Sequence, residues 1–304
     1  MLPEFYDATT LNNFRRCPDY GRRSLLGWRL PVYEGATASG QAAHKALQYH
    51  FSRATTDVEG TLKALRDAWT GPDDPLRAVD EKRPLELFEL ILQTYCEVYQ
   101  READPFEVVA NERYVEASIV RELAPRYGIS YCVTLPWCAV QDRKVRFEDG
   151  AEYVMDAKFT AIYLGEQFFR KFDLSTQLLG NVALEQVLGR RCDGFYIDAV
   201  HVDTRYGKAH AKYFQRYGPV RVPEWKLTEW AKGVEADIRQ IERYVDDFGF
   251  DQPWPRWDGG CGAFNKLCPY FRLCNGPPEL EPYTLEDEYE IKVWNPKEVA
   301  SNVN

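Results

Sequence analysis

The chain has no apolar run long enough to cross a membrane, and its first residues, Met-Leu-Pro-Glu-Phe-Tyr-Asp, lack the layout of a signal peptide. These absences point to a cytoplasmic protein with no membrane partner. There is no excess of positive charge either, since 38 Lys and Arg stand against 47 Asp and Glu, a formal net charge of -9. A protein that coats duplexes draws most of its affinity from a basic surface, so that class is excluded; an enzyme with its basic residues confined to a channel is not. No internal repeat and no low-complexity linker interrupts the 304 residues, which therefore read as a single domain. Within it, 1–35 is an N-terminal segment, 36–105 a helical part, 106–220 the core, and 221–304 a C-terminal helix followed by a cysteine-rich region.

What is present is enough for a packed interior: 45% of residues are hydrophobic and 14% aromatic. Eight cysteines in a chain of this length do not make the disulfide framework of a short secreted domain. Their distribution points instead to a metal.

The stretch from Ala139 to Lys158 reads as a β-hairpin. Tyr153, Met155, Ala157 and Phe159 alternate with Val154, Asp156 and Lys158, so Asp156 and Lys158 share a face. A three-residue loop, Glu148-Asp149-Gly150, pairs Phe147 with Ala151, sets Arg146 across from Glu152 and sets Asp142 across from Asp156. A two-residue Asp149-Gly150 turn places Arg143 opposite Asp156 and turns Asp142 away. Both registers satisfy the alternation.

Around the hairpin, Ala36 to Phe51 reads as a helix with Gly40 and His44 on one face. A helix from Pro84 to about Gln100 buries a stripe of Phe88, Ile91, Tyr95 and Val98. Strands over 107–120 and 127–141 lead into the hairpin, the first carrying Glu112 with Val108 and Ala110 on its face. Asp173 to Leu188 is helical after cap candidates, with Gln177 and Asn181 on one face. Gly194 to Val202 is a further strand in which His201 has no evident partner. Pro223 to about Val245 is an amphipathic helix facing the core with Trp230, Val234, Ile238, Ile241 and Val245. Four arginines surround Cys17; a solvated helix turn accounts for them as well as any functional role.

Two carboxylates side by side can bind Mg²⁺ or Mn²⁺ through hard oxygens, and such a cation activates water and offsets phosphate charge. A lysine two residues along the strand can serve as a proton-transfer partner or as a fixed positive charge. A helix histidine adds a metal ligand, and a helix glutamine can position the lysine or substrate.

In this order the motifs resemble the RecB-like branch of the PD-(D/E)xK nuclease superfamily, a group that includes CRISPR-adaptation exonucleases and phage-encoded relatives, over nearly the whole chain. Gly40-Gln-Ala-Ala-His44 resembles its G-x-x-x-H helix, Ala139-Val-Gln-Asp142 its G-x-x-D strand, Asp156-Ala-Lys158 its (D/E)-x-K strand and Gln177-Leu-Leu-Gly-Asn181 its Q-x-x-x-Y helix. Ala139 replaces the glycine and Asn181 the tyrosine; neither change removes a metal ligand. The resemblance implies a restriction-endonuclease-like α/β fold with a mixed central sheet flanked by helices. It also implies an Mg²⁺- or Mn²⁺-dependent DNA exonuclease acting on single-stranded or duplex ends, with recombination or replication proteins as partners. His44, Asp142 and Asp156 would hold the metal, Lys158 would act on the water, Gln177 would position, and Glu112 is an additional candidate. An alternative alignment uses Thr134-Leu-Pro-Trp137, which puts tryptophan at the acidic position and implies a DNA-binding or scaffold protein without chemistry.

The same family often holds an iron-sulfur cluster on one cysteine before the core and three after it. Cys17 with Cys261, Cys268 and Cys274 resembles that layout, which implies a 4Fe-4S cluster; zinc on the same thiolates is the structural alternative. The C-x6-C-x5-C spacing is wider in its first gap than in the better-known members. Cys96, Cys132, Cys138 and Cys192 read as small buried hydrophobes.

Overall fold

The computed structural model describes residues 2–31, 35–69, 83–126, 129–203, 211–262, 267–293 and 295. In chain order the elements are α1 (Ala8–Arg16), α2 (Pro18–Leu25), β1 (Trp28–Arg29), α3 (Gly35–Phe51), α4 (Val58–Trp69), α5 (Leu85–Val98), β2 (Phe106–Arg126), β3 (Ile129–Phe147), β4 (Glu152–Thr160), α6 (Glu166–Arg170), α7 (Thr176–Val187), β5 (Gly194–His201), β6 (Phe214–Arg221), α8 (Glu224–Phe248), α9 (Phe271–Asn275), α10 (Glu281–Glu288) and β7 (Glu290–Ile291). The protein is mixed α/β: a five-stranded sheet in the order β2-β3-β4-β5-β6 is flanked by helices. Only β4 and β5 run parallel, joined by the crossover through α6 and α7, while the other neighbours are antiparallel.

The β3–β4 connection is the three-residue loop. Gly150 has φ +77, which a side chain would disfavour. Phe147 N donates to Ala151 O at 2.9 Å, and Arg146 pairs with Glu152 both in register and by an ion pair at 2.7 Å. The ladder runs through Arg143–Met155 and stops there. Continued by one pair, it would set Asp142 against Asp156.

Period-two alternation on β4 sorts its side chains between two cores. Val154 joins Leu178, Val182, Trp230, Val234 and Ile238 on the face covered by α7 and α8. Tyr153, Met155 and Ala157 join Ala43, Leu47, Leu65, Phe88 and Ile91 on the face covered by α3, α4 and α5. The Val, Leu, Ile, Met and Phe side chains among these each contribute about 1.5–3 kcal/mol when fully buried; Val98, expected in the buried stripe of α5, is instead exposed near the helix end.

The long strands β2 and β3 break this alternation at one place. Trp137 and Ala139 pack towards α7, and Gln141 Nε2 donates to Asn181 O at 3.3 Å on the same side. Two residues later Arg143 lies 4.1 Å from the Phe51 ring, in the opposite core beside Val145. On β2, Arg113 reaches Gln141, whereas Asn111 donates to Gln48 O of α3 at 2.7 Å. Both strands therefore exchange faces between these residues, where Glu112 has φ +36. The pairs Asn111–Arg143 and Arg113–Gln141 bracket Glu112 and Asp142, so the inversion is centred on them. Glu112 reaches Lys45 of α3, on the side where Val108 packs, so that part of the expectation stands, while the bulge between Val108 and Ala110 sets Ala110 out of the series.

Charges that enter the cores are paired. Lys144 Nζ lies 2.6 Å from Glu152 and 3.1 Å from Glu185, and Arg113 lies 2.5 Å from Glu185. Across the sheet, Asp198 accepts from Tyr95 Oη at 2.5 Å, with Arg143 and Arg216 at 3.7 and 3.8 Å. His50, fully buried, shares this region, its Nδ1 3.6 Å from Cys96 Sγ. Burial lowers the His50 pKa to about 4, and the nearby charge of Arg101, Arg143 and Arg216 works in the same direction against a bond with the Tyr99 backbone. A histidine held neutral in the fold stabilises it above the ordinary value of 6.5, and that contribution is lost as pH falls towards 4. Between those limits the stability of His50→Gln should rise relative to wild type by about 3 kcal/mol, measured by urea unfolding at several pH values. Parallel acid limbs would show that His50 does not titrate in this way.

Candidate metal and phosphodiester site

Asp156, on β4, is 4% exposed and faces α7. Lys158 Nζ lies 2.6 Å from its Oδ2. Gln177, in the first turn of α7 behind the Ser175 cap, joins the two: its Nε2 donates to Asp156 Oδ1 at 3.0 Å and its Oε1 accepts from Lys158 Nζ at 3.2 Å. A carboxylate accepts only and an ammonium donates only, so this circuit fixes which way the amide points.

Asp142 stands where β3 leaves β4. Its Oδ2 accepts from Ala157 N at 2.9 Å and so takes the place of the main-chain acceptor that the parted ladder no longer supplies. His44 Nδ1 approaches the same oxygen at 3.4 Å from α3, and the ring lies edge-on to Phe159 with 5.5 Å between centroids. A lone histidine on a helix face is more often a core residue, but the His44 side chain is 38% exposed. Glu112, the cross-strand neighbour of Asp142, holds Lys45 at 3.0 Å. Lys45 was not foreseen, although it follows His44 directly. Gln177 and His44 thus reach the cluster from opposite layers of the sheet.

Electrostatically the two aspartates differ. Burial raises both carboxyls, but on Asp142 the charge and hydrogen bond of His44, with Arg143 and Lys158 beyond, prevail and hold it well below the usual carboxylate range. Asp156 ends above its ordinary value: burial and the Asp142 charge outweigh Lys158. Burial lowers Lys158, and its two carboxylate neighbours more than reverse this, so the amine stays an ammonium. Asp156 Oδ2 has no hydrogen bond of good geometry despite the nearby ammonium. The two carboxylates supply hard oxygens suited to Mg²⁺ or Mn²⁺, and the imidazole adds a borderline nitrogen, a donor that transition-metal ions take more readily than Mg²⁺. Among the described residues no three His, Cys, Asp or Glu side chains are already grouped to hold a metal ion, so this set would have to close around one.

Trp137, the alternative occupant of the acidic position, is fully buried. It packs edge-on against Trp230 at 5.4 Å, and a Cβ on Gly180 would stand 2.4 Å from its Nε1. Tyr6 bridges to it where β4 has departed. It is a core residue beside the cluster, and Asp142 is the acidic group that reaches Ala157.

The terminal cysteines approach one another. Cys17 lies between α1 and α2, with Trp257 N directed at its Sγ at 3.5 Å. Cys268 N donates to Cys261 O at 2.8 Å. Burial raises the Cys268 thiol, which also feels Cys261 and Cys17, and burial raises Cys274, which feels Cys268. All four are free and half-buried. The arginines around Cys17 are not a solvated turn: fully buried Asp19 lies 2.7 Å from Arg22 Nε and 3.2 Å from Arg23 Nε, and it also accepts from Arg256 and from Trp254 N. Arg16 donates to Gly260 O. Of the four cysteines read as buried hydrophobes, Cys96, Cys138 and Cys192 are buried; Cys132 is exposed, so that reading is corrected for it. His201 has a partner after all, Ile162 O at 3.1 Å.

No family model matches the chain, and no curated protein matches its sequence.

A cation at these carboxylates competes with the proton on Asp156. Affinity for Mn²⁺ should therefore fall as pH drops through the raised Asp156 value, starting above the ordinary carboxylate range of about 4, while Asp142 stays ionised. Calorimetric titration across that range checks this. Affinity independent of pH, or unchanged in Asp156→Asn, would place the cation elsewhere.

Proposed function

We propose that the protein is a divalent-metal-dependent deoxyribonuclease with a restriction-endonuclease-like fold, cutting phosphodiester bonds at single-stranded or frayed DNA ends. The observation that carries this reading is the convergence of His44, Asp142, Asp156, Lys158 and Gln177 from α3, β3, β4 and α7 into one cluster bound together at 2.6–3.4 Å. His44, Asp142 and Asp156 would hold Mg²⁺ or Mn²⁺, which activates water and offsets charge on the phosphate. Lys158, kept as an ammonium, supplies positive charge to a phosphate oxygen or orients the water, in preference to acting as a base. Gln177 fixes the lysine, and the Lys45–Glu112 pair braces the bend that presents Asp142. A role in recombination, repair or phage DNA processing, with DNA as partner, follows from the same reading.

Lys158→Ala should abolish Mn²⁺-dependent cleavage of end-labelled single strands while leaving the circular dichroism spectrum unchanged. Activity retained by that variant moves the site elsewhere in the molecule.

Cys17, Cys261, Cys268 and Cys274 would have to close around a 4Fe-4S cluster, since among the described residues they are not already grouped as a ligand set; such a cluster would clamp the two termini together. Anaerobically purified protein should be brown with broad visible absorption and four irons per chain, a number that follows from that cluster type. Colourless protein with stoichiometric zinc would assign the thiolates to zinc instead.

A further inference from the structure

Between α6 and α7 the chain makes one tight 3-10 turn, Lys171–Leu174. Phe168 and Phe169 before it and Phe172 within it are buried in the core shared with Leu178 and Leu179 of α7, so the backbone that carries Lys171 is anchored from below. Ser175 N donates to Phe172 O at 3.0 Å, and Ser175 then caps α7. In the first turn of that helix Gln177 Oε1 accepts from Lys158 Nζ at 3.2 Å. Lys171 is thus joined to the Asp156–Lys158 cluster by a short, well-anchored stretch of chain.

Lys171 is exposed, and its Nζ rests over the Phe168 ring at 4.0 Å and the Phe172 ring at 4.8 Å from their centroids. Such a seat directs an ammonium without neutralising it. Lys158 has Asp156 at 2.6 Å, and the neighbouring Arg170 has Glu166 at 3.1 Å. Among the described residues no carboxylate does the same for Lys171. Burial lowers its pKa, and the charge of Lys158 lowers it further, so the two ammonium groups stand near enough to repel. An unpaired cation held beside a second cation is an arrangement that an anion relieves.

We propose that Lys171 binds the phosphate next to the one that is cut and so holds a single strand in register across the site, an inference that rests on the nuclease reading for where the cut falls. A lysine suits this task, being a compact point charge, and phosphate contacts fix the position of a strand without reading its sequence. Lys158 is tied to Asp156 and Gln177 and serves the cluster, whereas Lys171 has its charge to offer. A phosphate held there stands at a set distance from Lys158, because the turn between them is packed in place by its phenylalanines.

The test follows binding of the full chain to an end-labelled single strand by fluorescence anisotropy over a range of salt, with chelator present so that nothing is cut. One phosphate contact on a single strand contributes about 0.7 to the slope of log affinity against log salt. Lys171→Ala should lower that slope by about 0.7 and weaken binding roughly fivefold at about 0.1 M salt, and Lys171→Arg, which keeps the charge, should restore both. A lost packing contact would weaken binding without moving the slope. Strands with one uncharged methylphosphonate linkage, moved stepwise from the end, then locate the contact: of the linkages at which wild type loses affinity, one should cease to matter in Lys171→Ala. A slope and linkage profile unchanged by Lys171→Ala overturns the contact, whether or not the protein cuts. A Lys171-dependent slope in a protein that cuts nothing in Mn²⁺ keeps the contact and sinks the nuclease reading. Inorganic phosphate that displaces the strand at matched ionic strength would assign Lys171 to a free anion and overturn its role in register. Should Lys171→Ala fail to fold, Lys171→Gln removes the same charge.

Discussion

The parting of β3 from β4 at Asp142 is the constraint on which the rest depends. Had the ladder continued, the main chains would have satisfied each other and Asp142 would have been one more side chain beside Asp156. Because it stops at Arg143–Met155, the Ala157 amide needs an acceptor, and the Asp142 carboxylate supplies it. That hydrogen bond pins a carboxylate at the fork of the sheet. The strained backbone at Glu112 lies at the same cross-strand position, so the bend that opens the fork is built into both β2 and β3. Opening it also leaves a length of β3 edge for Tyr6, and beyond Tyr6 a cavity.

Two layers meet at this fork because each strand face carries its own core. α3 is fixed by the Ala43 and Leu47 side of one core and delivers His44; α7 is fixed by Leu178 and Val182 in the other and delivers Gln177. Neither helix could bring both groups. Moving Asp156 and Lys158 to one face while Tyr153, Met155 and Ala157 anchor the other is what a strand does by default. The buried charges then organise themselves by pairing: Asp142 is held ionised by His44, and Lys158 is held charged by the two aspartates, while Asp156 bears the excess negative potential. A site poised in this way has one carboxylate ready and one reluctant, which is the usual outcome when two carboxylates share a buried space.

Much of this was legible in the sequence where a short-range rule governs. Alternation placed Asp156 and Lys158 together, the Glu148-Asp149-Gly150 loop gave one of the two registers open to the hairpin, and helical spacing with a Ser175 cap put Gln177 and Asn181 on one helix. What was not legible comes from long-range geometry. The face inversion at Glu112 and Asp142 has no sequence signal, because a φ of +36 at a glutamate follows no propensity. Trp137 reads as a rival for the acidic position until Trp230, some ninety residues away, is seen to cover it. The arginines around Cys17 read as solvated because their counter-charge, Asp19, lies among them and their other partners arrive from the far end of the chain.

Those far partners connect the termini to the chemistry. Asp19 gathers Arg22, Arg23 and Arg256, and Arg22 also donates to Phe250 O at 2.8 Å, so the end of α8 and the segment after it are tied to α2. Removing one member of such a buried set leaves charge without compensation, which is far costlier than the set is favourable. Cys17 sits at the turn between this anchored α2 and α1, and the first turn of α1 closes the cavity beside Gln177. The orientation of that closing turn is therefore inherited from the terminal clamp. A centre bound at Cys17 would act on the same short lever, which is how the terminal segments, held to α2 through Asp19, Arg22 and Arg256, would bear on the first turn of α1.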